Sequence, residues 1–167
     1  MTRAHDSQTY NPVSTYIVAC EEARQRGDRR VGTDHLLLAL LRDPHIEDAV
    51  GVNHEQARTA LVGLDKEALV AIGLPTTWDV PPLSEHALAP QPSLHKAWKI
   101  HVKLSPSAKR ALREFGPRMR VHLPTSPEQL LASLLENNPP DPAAVLLNVL
   151  GVDSLALRQR LNDKQDA

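Results

Sequence analysis

Residues 31–41 read VGTDHLLLALL, and this stretch decides the fold class of the chain. Thr33 is a good helix N-cap, and Asp34 behind it is favoured by the positive end of the helix dipole. The leucines that follow leave no polar face, so the stretch predicts a helix that is buried nearly all round. Asp34 is then expected to mark the exposed start of this helix, and Pro44 to end it.

The pattern of an acid before an aliphatic helix occurs a second time, as SPEQLLASLL at residues 126–135. Its opening letters SPEQ form a capping box, with Ser126 as the cap. VGVNHEQARTAL at 50–61 is likewise similar to LGVDSLALRQRL at 150–161. An internal repeat of this kind indicates stacked copies of one helical unit. The sequence therefore predicts an all-α fold in which two pseudo-symmetric four-helix repeats pack as one domain.

Caps and breakers divide the chain into these units. We expect helices near residues 11–26, 33–42, 53–62, 105–115, 127–136, 141–149 and 153–162, and a further short helix from Asp65 to Ile72. The domain organisation is then a first repeat at 1–73, a Pro-rich connector at 74–103 and a second repeat at 104–167. Prolines forbid a long regular element in the connector, and its Trp78 and Trp98 are expected to be packing anchors.

A group of arginines lies around the end of the first predicted helix: Arg24, Arg26, Arg29 and Arg30. Cations near a helix C-terminus interact favourably with its dipole, so we expect these side chains to complement the dipole and stay solvated. An anion-binding patch is the alternative reading of the same residues.

Composition limits the class of protein. Aromatic residues are only 3% of the chain, so a core must consist of Leu, Val, Ile and Ala, which suits helices. The formal charge of -1, with acids and bases interspersed, gives no concentrated basic face for nucleic acid. No apolar run is long enough for a membrane span, and the start of the chain lacks the apolar run of a signal peptide. We expect a cytoplasmic protein with no nucleic-acid and no membrane partner.

The sequence also lacks the motifs of several enzyme classes. Cys20 is the single cysteine, which excludes an internal disulfide and a Cys-rich zinc site, and we expect it to be an inert core residue. The eight histidines show no HExxH spacing, so we expect no metal and no cofactor. No GxxxxGK[ST] loop is present, so the chain is expected neither to bind nor to hydrolyse ATP. The prediction is a protein without enzymatic activity.

These stretches together resemble a known family. VGTDHLLLALL is similar to the GTEH-LLL core of the Clp amino-terminal repeat, and HVKLSPSAKRAL at 101–112 is similar to the opening of that family's second repeat. LGVDSLALRQRL is similar to its last helix. The resemblance covers the chain outside residues 74–100. It implies the fold of the substrate- and adaptor-docking domain of Clp-type AAA+ unfoldases, particularly the ClpC kind, without the ATPase modules.

The resemblance also implies ligand pockets for phosphoarginine, one in each repeat. The family's acids that hold the guanidinium fall on Asp34 and Glu128, and its hydroxyls at the start of each repeat fall on Thr9 and Ser105. A carboxylate at an exposed helix start can hold a guanidinium, and a capped helix N-terminus can hold a phosphate. Because Asp34 is one methylene shorter than the family's glutamate, we expect the Glu128 pocket to bind more strongly.

The expected function is a non-enzymatic binding module for a protein or peptide partner, namely Clp substrates, adaptors or a Clp unfoldase. Phosphoarginine and antibiotics that target Clp are the small ligands that the resemblance implies. One alternative is a structural interaction domain with inactive pockets, in which Asp34 and Glu128 are only helix-start acids. Another is a small hydrolase, although no GxSxG nucleophile elbow is present.

Overall fold

The computed structural model describes residues 10–74, 103–113 and 126–165. Its helices are α1 (Pro12–Arg26), α2 (Thr33–Leu40), α3 (Pro44–Val50), α4 (His54–Ala71), α5 (Pro106–Arg113), α6 (Pro127–Leu135), α7 (Pro142–Val149) and α8 (Ser154–Gln165). Two short strands, β1 (Arg30–Val31) and β2 (Lys103–Leu104), form a parallel pair. The predicted all-α fold class is confirmed. Thr9, Trp78 and Trp98 lie outside the described residues.

The stretch that opened the sequence analysis forms the centre of the fold. Every residue of α2 is buried, and the helix packs against α1, α4, α5, α6 and α7. Leucines around the whole circumference are what such a position requires, because apolar neighbours lie on every side. One detail differs from the prediction: Gly32 is the N-cap, and Thr33 is already the first helical residue.

The sequence analysis missed one helix and divided another. Pro44 was expected only to end α2, but it also occupies the first turn of α3, where a missing N–H costs nothing. The Asp43 carboxylate caps this helix by accepting a hydrogen bond from His45 N at 2.9 Å. The helices expected at 53–62 and 65–72 are one continuous helix, α4, because no proline interrupts the chain between them.

The core draws on both halves of the chain. Its largest fully buried side chains are aliphatic: Leu36, Leu37, Leu38, Leu40, Leu41, Ile46, Leu130, Leu131, Leu134, Leu146, Leu147 and Leu157. The leucines of α6 and α7 thus pack in the same cluster as those of α2. This agrees with the expectation of a core without aromatic residues.

The short strand pair joins the two halves next to α2. Arg30 is paired with Lys103, and Val31 with Leu104. One residue further on, Ser105 N–H donates a hydrogen bond to the Val31 carbonyl at 2.8 Å. The start of α5 therefore lies beside the turn that leads into α2.

Candidate functional site

The structure brings the predicted site residue Ser105 of the second half next to the segment of the first half that carries Asp34. Ser105 belongs to the second half, but its backbone is bonded to Val31, directly before the segment that carries Asp34. The Ser105 hydroxyl caps α5 by accepting a hydrogen bond from Ala108 N at 3.1 Å. Its own proton stays available for another acceptor. The hydroxyl expected to serve the second repeat therefore lies beside the acid-bearing segment of the first.

Tyr10, just before α1, is the described residue on which the charge of Glu128 acts. Tyr10, the first described residue, donates or accepts a hydrogen bond with Thr15 Oγ1 at 2.8 Å. Burial raises the pKa of Tyr10, and the nearby carboxylates of Asp43 and Glu128 raise it further, whereas the Thr15 contact lowers it. Glu128 is the smallest of these contributions to the Tyr10 pKa. Thr9, the predicted hydroxyl here, lies outside the described residues.

Asp34 is bound by a guanidinium of the chain itself. Its Oδ2 accepts a hydrogen bond from Arg26 Nη1 at 3.1 Å, and its side chain is only 10% exposed. Burial would raise the pKa of Asp34, but contacts with His35, including its backbone N–H, and the charge of Arg26 hold the pKa below its ordinary value. The carboxylate expected at an exposed helix start is therefore buried and ionised.

The same guanidinium contacts two further carboxylates. Arg26 Nη2 donates to Asp65 Oδ2 at 2.8 Å, and Arg26 Nε lies 3.6 Å from Asp28 Oδ2. Asp65 is well exposed, with 56% of its side chain accessible. Arg26 was expected to stay solvated at the end of α1, but it ties this end to α2 and α4.

Gly32 is needed here for space. A Cβ atom at this position would lie 2.2 Å from Asp34 Oδ1, so the carboxylate folds back over the glycine backbone. His35 reinforces the turn, since its Nδ1 accepts a hydrogen bond from Gly32 N at 2.9 Å. Nδ1 also lies 3.2 Å from Asp34 Oδ1, and Nε2 lies 3.0 Å from Asp28 Oδ2. The histidine is a buried structural side chain.

Thr33 connects the two halves through side chains. Its Oγ1 donates a hydrogen bond to Asp141 Oδ1 at 2.7 Å and accepts one from Ala143 N at 3.3 Å. Asp141 is the N-cap of α7 and also accepts from Ala143 N at 3.1 Å. Each polar side chain of the GTDH stretch thus has a partner within the protein.

Glu128 differs from Asp34 in this respect. It lies in the first turn of α6, behind the cap Ser126, and its side chain is half-buried. It forms no hydrogen bond or ion pair with any other residue that the structure describes. The Glu128 pocket was expected to bind phosphoarginine more strongly because the Asp34 side chain is shorter. The structure adds a second difference, since Asp34 already has a cationic partner.

Sequence reasoning missed a buried acid, Glu22 in α1. It accepts hydrogen bonds at Oε1 from Arg42 and from His54 Nε2, the latter at 3.0 Å, and Arg58 Nε lies 3.6 Å from its Oε2. Burial would raise the pKa of Glu22, but Arg42 and then His54 hold it below its ordinary value. This cluster connects α1 to the end of α2 and to α4. The one available signal was its place beside Ala19 and Ala23 on the inward face of the helix.

Two kinds of site can be assessed in the described part of the chain. No group of three or more His, Cys, Asp or Glu side chains in residues 10–74, 103–113 and 126–165 is arranged to hold a metal ion. None of the helices described there has the length and apolar character needed to cross a membrane.

Comparison with known proteins identifies the fold. No family profile and no curated protein matches the chain. Among solved structures, the chain is similar to the crystal structure of the N-terminal domain of the caseinolytic protease associated chaperone ClpD from Arabidopsis thaliana. The TM-score is 0.58 at 20% sequence identity, and the match covers 99% of this chain and 100% of that chain. The chain therefore has the fold of a Clp amino-terminal domain, as the sequence resemblance implied.

Proposed function

We propose that the chain is a non-enzymatic docking module that binds phosphoarginine-marked proteins through Glu128. The observation that carries this proposal is the environment of Glu128, a half-buried acid at a helix start with no ionic partner among the described residues. The Clp amino-terminal fold supports a docking role, because the solved structure that shares this fold is a domain of a protease-associated chaperone.

The chemistry of this position suits a guanidinium that bears a phosphate. A carboxylate accepts two parallel N–H bonds from one guanidinium, a geometry that lysine cannot match. The N-terminus of α6 supplies positive potential for the neighbouring phosphate. Each hydrogen bond to a charged group is worth about 1.5–3 kcal/mol. A ligand carrying both groups is thus favoured over free arginine or free phosphate.

Ser105 and Thr9 remain in the proposal as the hydroxyls on the phosphate side of the two pockets. The Ser105 hydroxyl accepts from Ala108 N, and its own proton has no acceptor among the described residues. Thr9 directly precedes Tyr10, whose pKa the charge of Glu128 raises. Each pocket would then combine an acid from one half of the chain with a hydroxyl from the other.

The partners that follow from this role are Clp substrates, Clp adaptors or a Clp unfoldase. A docking domain without a motor competes with the unfoldase for marked clients or delivers them to it. The same pockets are the proposed binding place for antibiotics that target Clp. The protein partners and the antibiotics both require that the Glu128 pocket binds a ligand.

Titration of the ¹⁵N-labelled chain with phosphoarginine, followed by NMR, tests the proposal. We expect shifts at the amides of α6, and neither arginine nor inorganic phosphate should produce them at the same concentration. Glu128→Gln keeps the side-chain shape and should weaken binding by about ten- to a hundredfold, the equivalent of one charged hydrogen bond. Asp34→Ala should matter less.

A matched control is Glu67→Gln, which neutralises an exposed acid on α4. It should bind as the wild type does. Absence of any shift at millimolar phosphoarginine, or unchanged binding by a folded Glu128→Gln variant, would refute the proposal.

A structural interaction domain with inactive pockets is the second candidate, and the occupied state of Asp34 favours it. Immobilised wild-type chain and Glu128→Gln should then retain the same proteins from a cell extract. If Glu128 is a docking residue, the Glu128→Gln variant should instead retain fewer Clp clients or adaptors than the wild type. Turnover on ester and peptide substrates, expected to be nil, tests the hydrolase reading.

A further inference from the structure

Arg26 presents to Asp34 the same chemical group that the proposed ligand would bring. Its Nη1 lies 3.1 Å from Asp34 Oδ2, and the side chains of Arg26 and Asp34 are 21% and 10% exposed. Two further carboxylates hold the other edges of the guanidinium, Asp65 at 2.8 Å and Asp28 at 3.6 Å. The guanidinium of Arg26 thus fills a site with three carboxylates, of which Asp34 is buried and Asp28 and Asp65 are exposed.

We propose that Arg26 acts as an internal pseudo-ligand that keeps the Asp34 pocket closed to external guanidinium groups. This inference rests on the proposed function, because it treats Asp34 as a second guanidinium acceptor beside Glu128. The module then has one open pocket and one pocket that is autoinhibited by its own chain.

Competition explains why the closed state prevails. Arg26 is only eight residues from Asp34, at the end of the same helical hairpin, so its effective concentration at the carboxylate is on the order of millimolar or higher. An external ligand must displace it, and its apparent affinity falls by the fraction of molecules in which the pocket is open. A phosphate on that ligand would also meet the negative charges of Asp28 and Asp65. The Glu128 pocket has no such occupant among the described residues.

Chemical rescue of Arg26→Ala with ethylguanidinium tests the inference without phosphoarginine. The truncation leaves space and an unpaired Asp34, so millimolar ethylguanidinium should shift the amides of Asp34 and His35. It should also raise the Tm of the variant by about 1–4 °C. Ethylammonium, a cation without the planar fork, should do so much less.

The controls locate the effect. Wild type and the double variant Arg26→Ala/Asp34→Asn should show neither the amide shifts nor the rise in Tm. If Arg26→Ala does not fold, Arg26→Lys keeps a cation at the pocket with a single point donor. Ethylguanidinium should then perturb the Asp34 amide at about tenfold lower concentration than in wild type.

Phosphoarginine stoichiometry separates this inference from the proposed function. Wild type should bind one equivalent of phosphoarginine, through Glu128. Arg26→Ala should gain a second but weaker site, because Asp34 loses its guanidinium partner while Asp28 and Asp65 stay close to the phosphate. Loss of binding at Glu128 in wild type would remove the proposed function, but the ethylguanidinium result would still decide whether Arg26 closes a guanidinium pocket. A folded Arg26→Ala or Arg26→Lys variant whose Asp34 amide ignores ethylguanidinium would overturn the inference.

Discussion

Replacing Thr33 by valine removes the hydroxyl that joins the two halves of the chain and leaves the side-chain volume almost unchanged. Thr33 is fully buried, and its Oγ1 donates to the Asp141 carboxylate at 2.7 Å. A hydrogen bond to a charged group contributes about 1.5–3 kcal/mol. The Ala143 N–H contact at 3.3 Å is longer, and Asp141 also accepts from this N–H, so it adds little. We expect Thr33→Val to lower the free energy of unfolding by about 2–3 kcal/mol.

Thr33→Ser is the matched control. It keeps the hydroxyl and removes one buried methyl group, which costs about 1 kcal/mol. For a chain of this size, each kcal/mol corresponds to about 2–4 °C in Tm, so valine should lower Tm by about 4–12 °C and serine by about 2–4 °C. In a double-mutant cycle with Asp141→Asn, the coupling should exceed about 1 kcal/mol, because the two side chains touch directly.

Urea unfolding followed by far-UV circular dichroism measures these differences. A Thr33→Val variant as stable as wild type would refute the reasoning. Equal losses for valine and serine would do the same, since they would attribute the effect to packing at Thr33 and leave no role for the hydrogen bond.

Three further substitutions probe the framework. Glu22→Gln should lower stability by about 2 kcal/mol at pH 7, a value discounted because its partner Arg42 is partly exposed. Since the pKa of Glu22 is depressed, its contribution is present above its unfolded-state value of about 4.3 and is lost as pH falls through the folded value. The difference between the urea midpoints of variant and wild type should therefore begin to shrink as pH falls below about 4.3. Gly32→Ala should cost about 1–3 kcal/mol and displace the Asp34 carboxylate, visible as a raised Asp34 pKa by NMR. Asn53→Ala removes a capping box and should lower Tm by about 2–4 °C in a thermal melt, whereas Asn53→Asp should stay near wild type.

The sequence was sufficient for the elements whose cause is local. The leucine run that becomes α2 predicts burial on all sides without any knowledge of its neighbours. Ser126 was identified as the cap of α6 from its spacing to Gln129, and the 3.3 Å bond from Gln129 N to Ser126 Oγ agrees with this. Pro44 was misjudged because a proline that ends one helix can begin the next, and nothing local distinguishes the two roles.

The site depended on contacts between distant segments, which a pattern along the chain does not reveal. The pairing of Asp34 with Arg26 requires the end of α1 to fold back onto α2. Glu22 is buried where Arg42, in the turn after α2, and Arg58 of α4 approach it. Whether a helix-start acid is open or occupied is therefore a property of tertiary packing, and spacing alone predicted both acids as exposed.

The strand pair and the Thr33–Asp141 bond have a consequence for how the chain tolerates variation between its halves. Both links join the halves directly, through described residues that lie far apart in sequence. A change at Thr33 or Val31 therefore affects the contact between the two halves as well as the start of α2. We expect substitutions at these two buried positions to be tolerated less than substitutions at exposed positions.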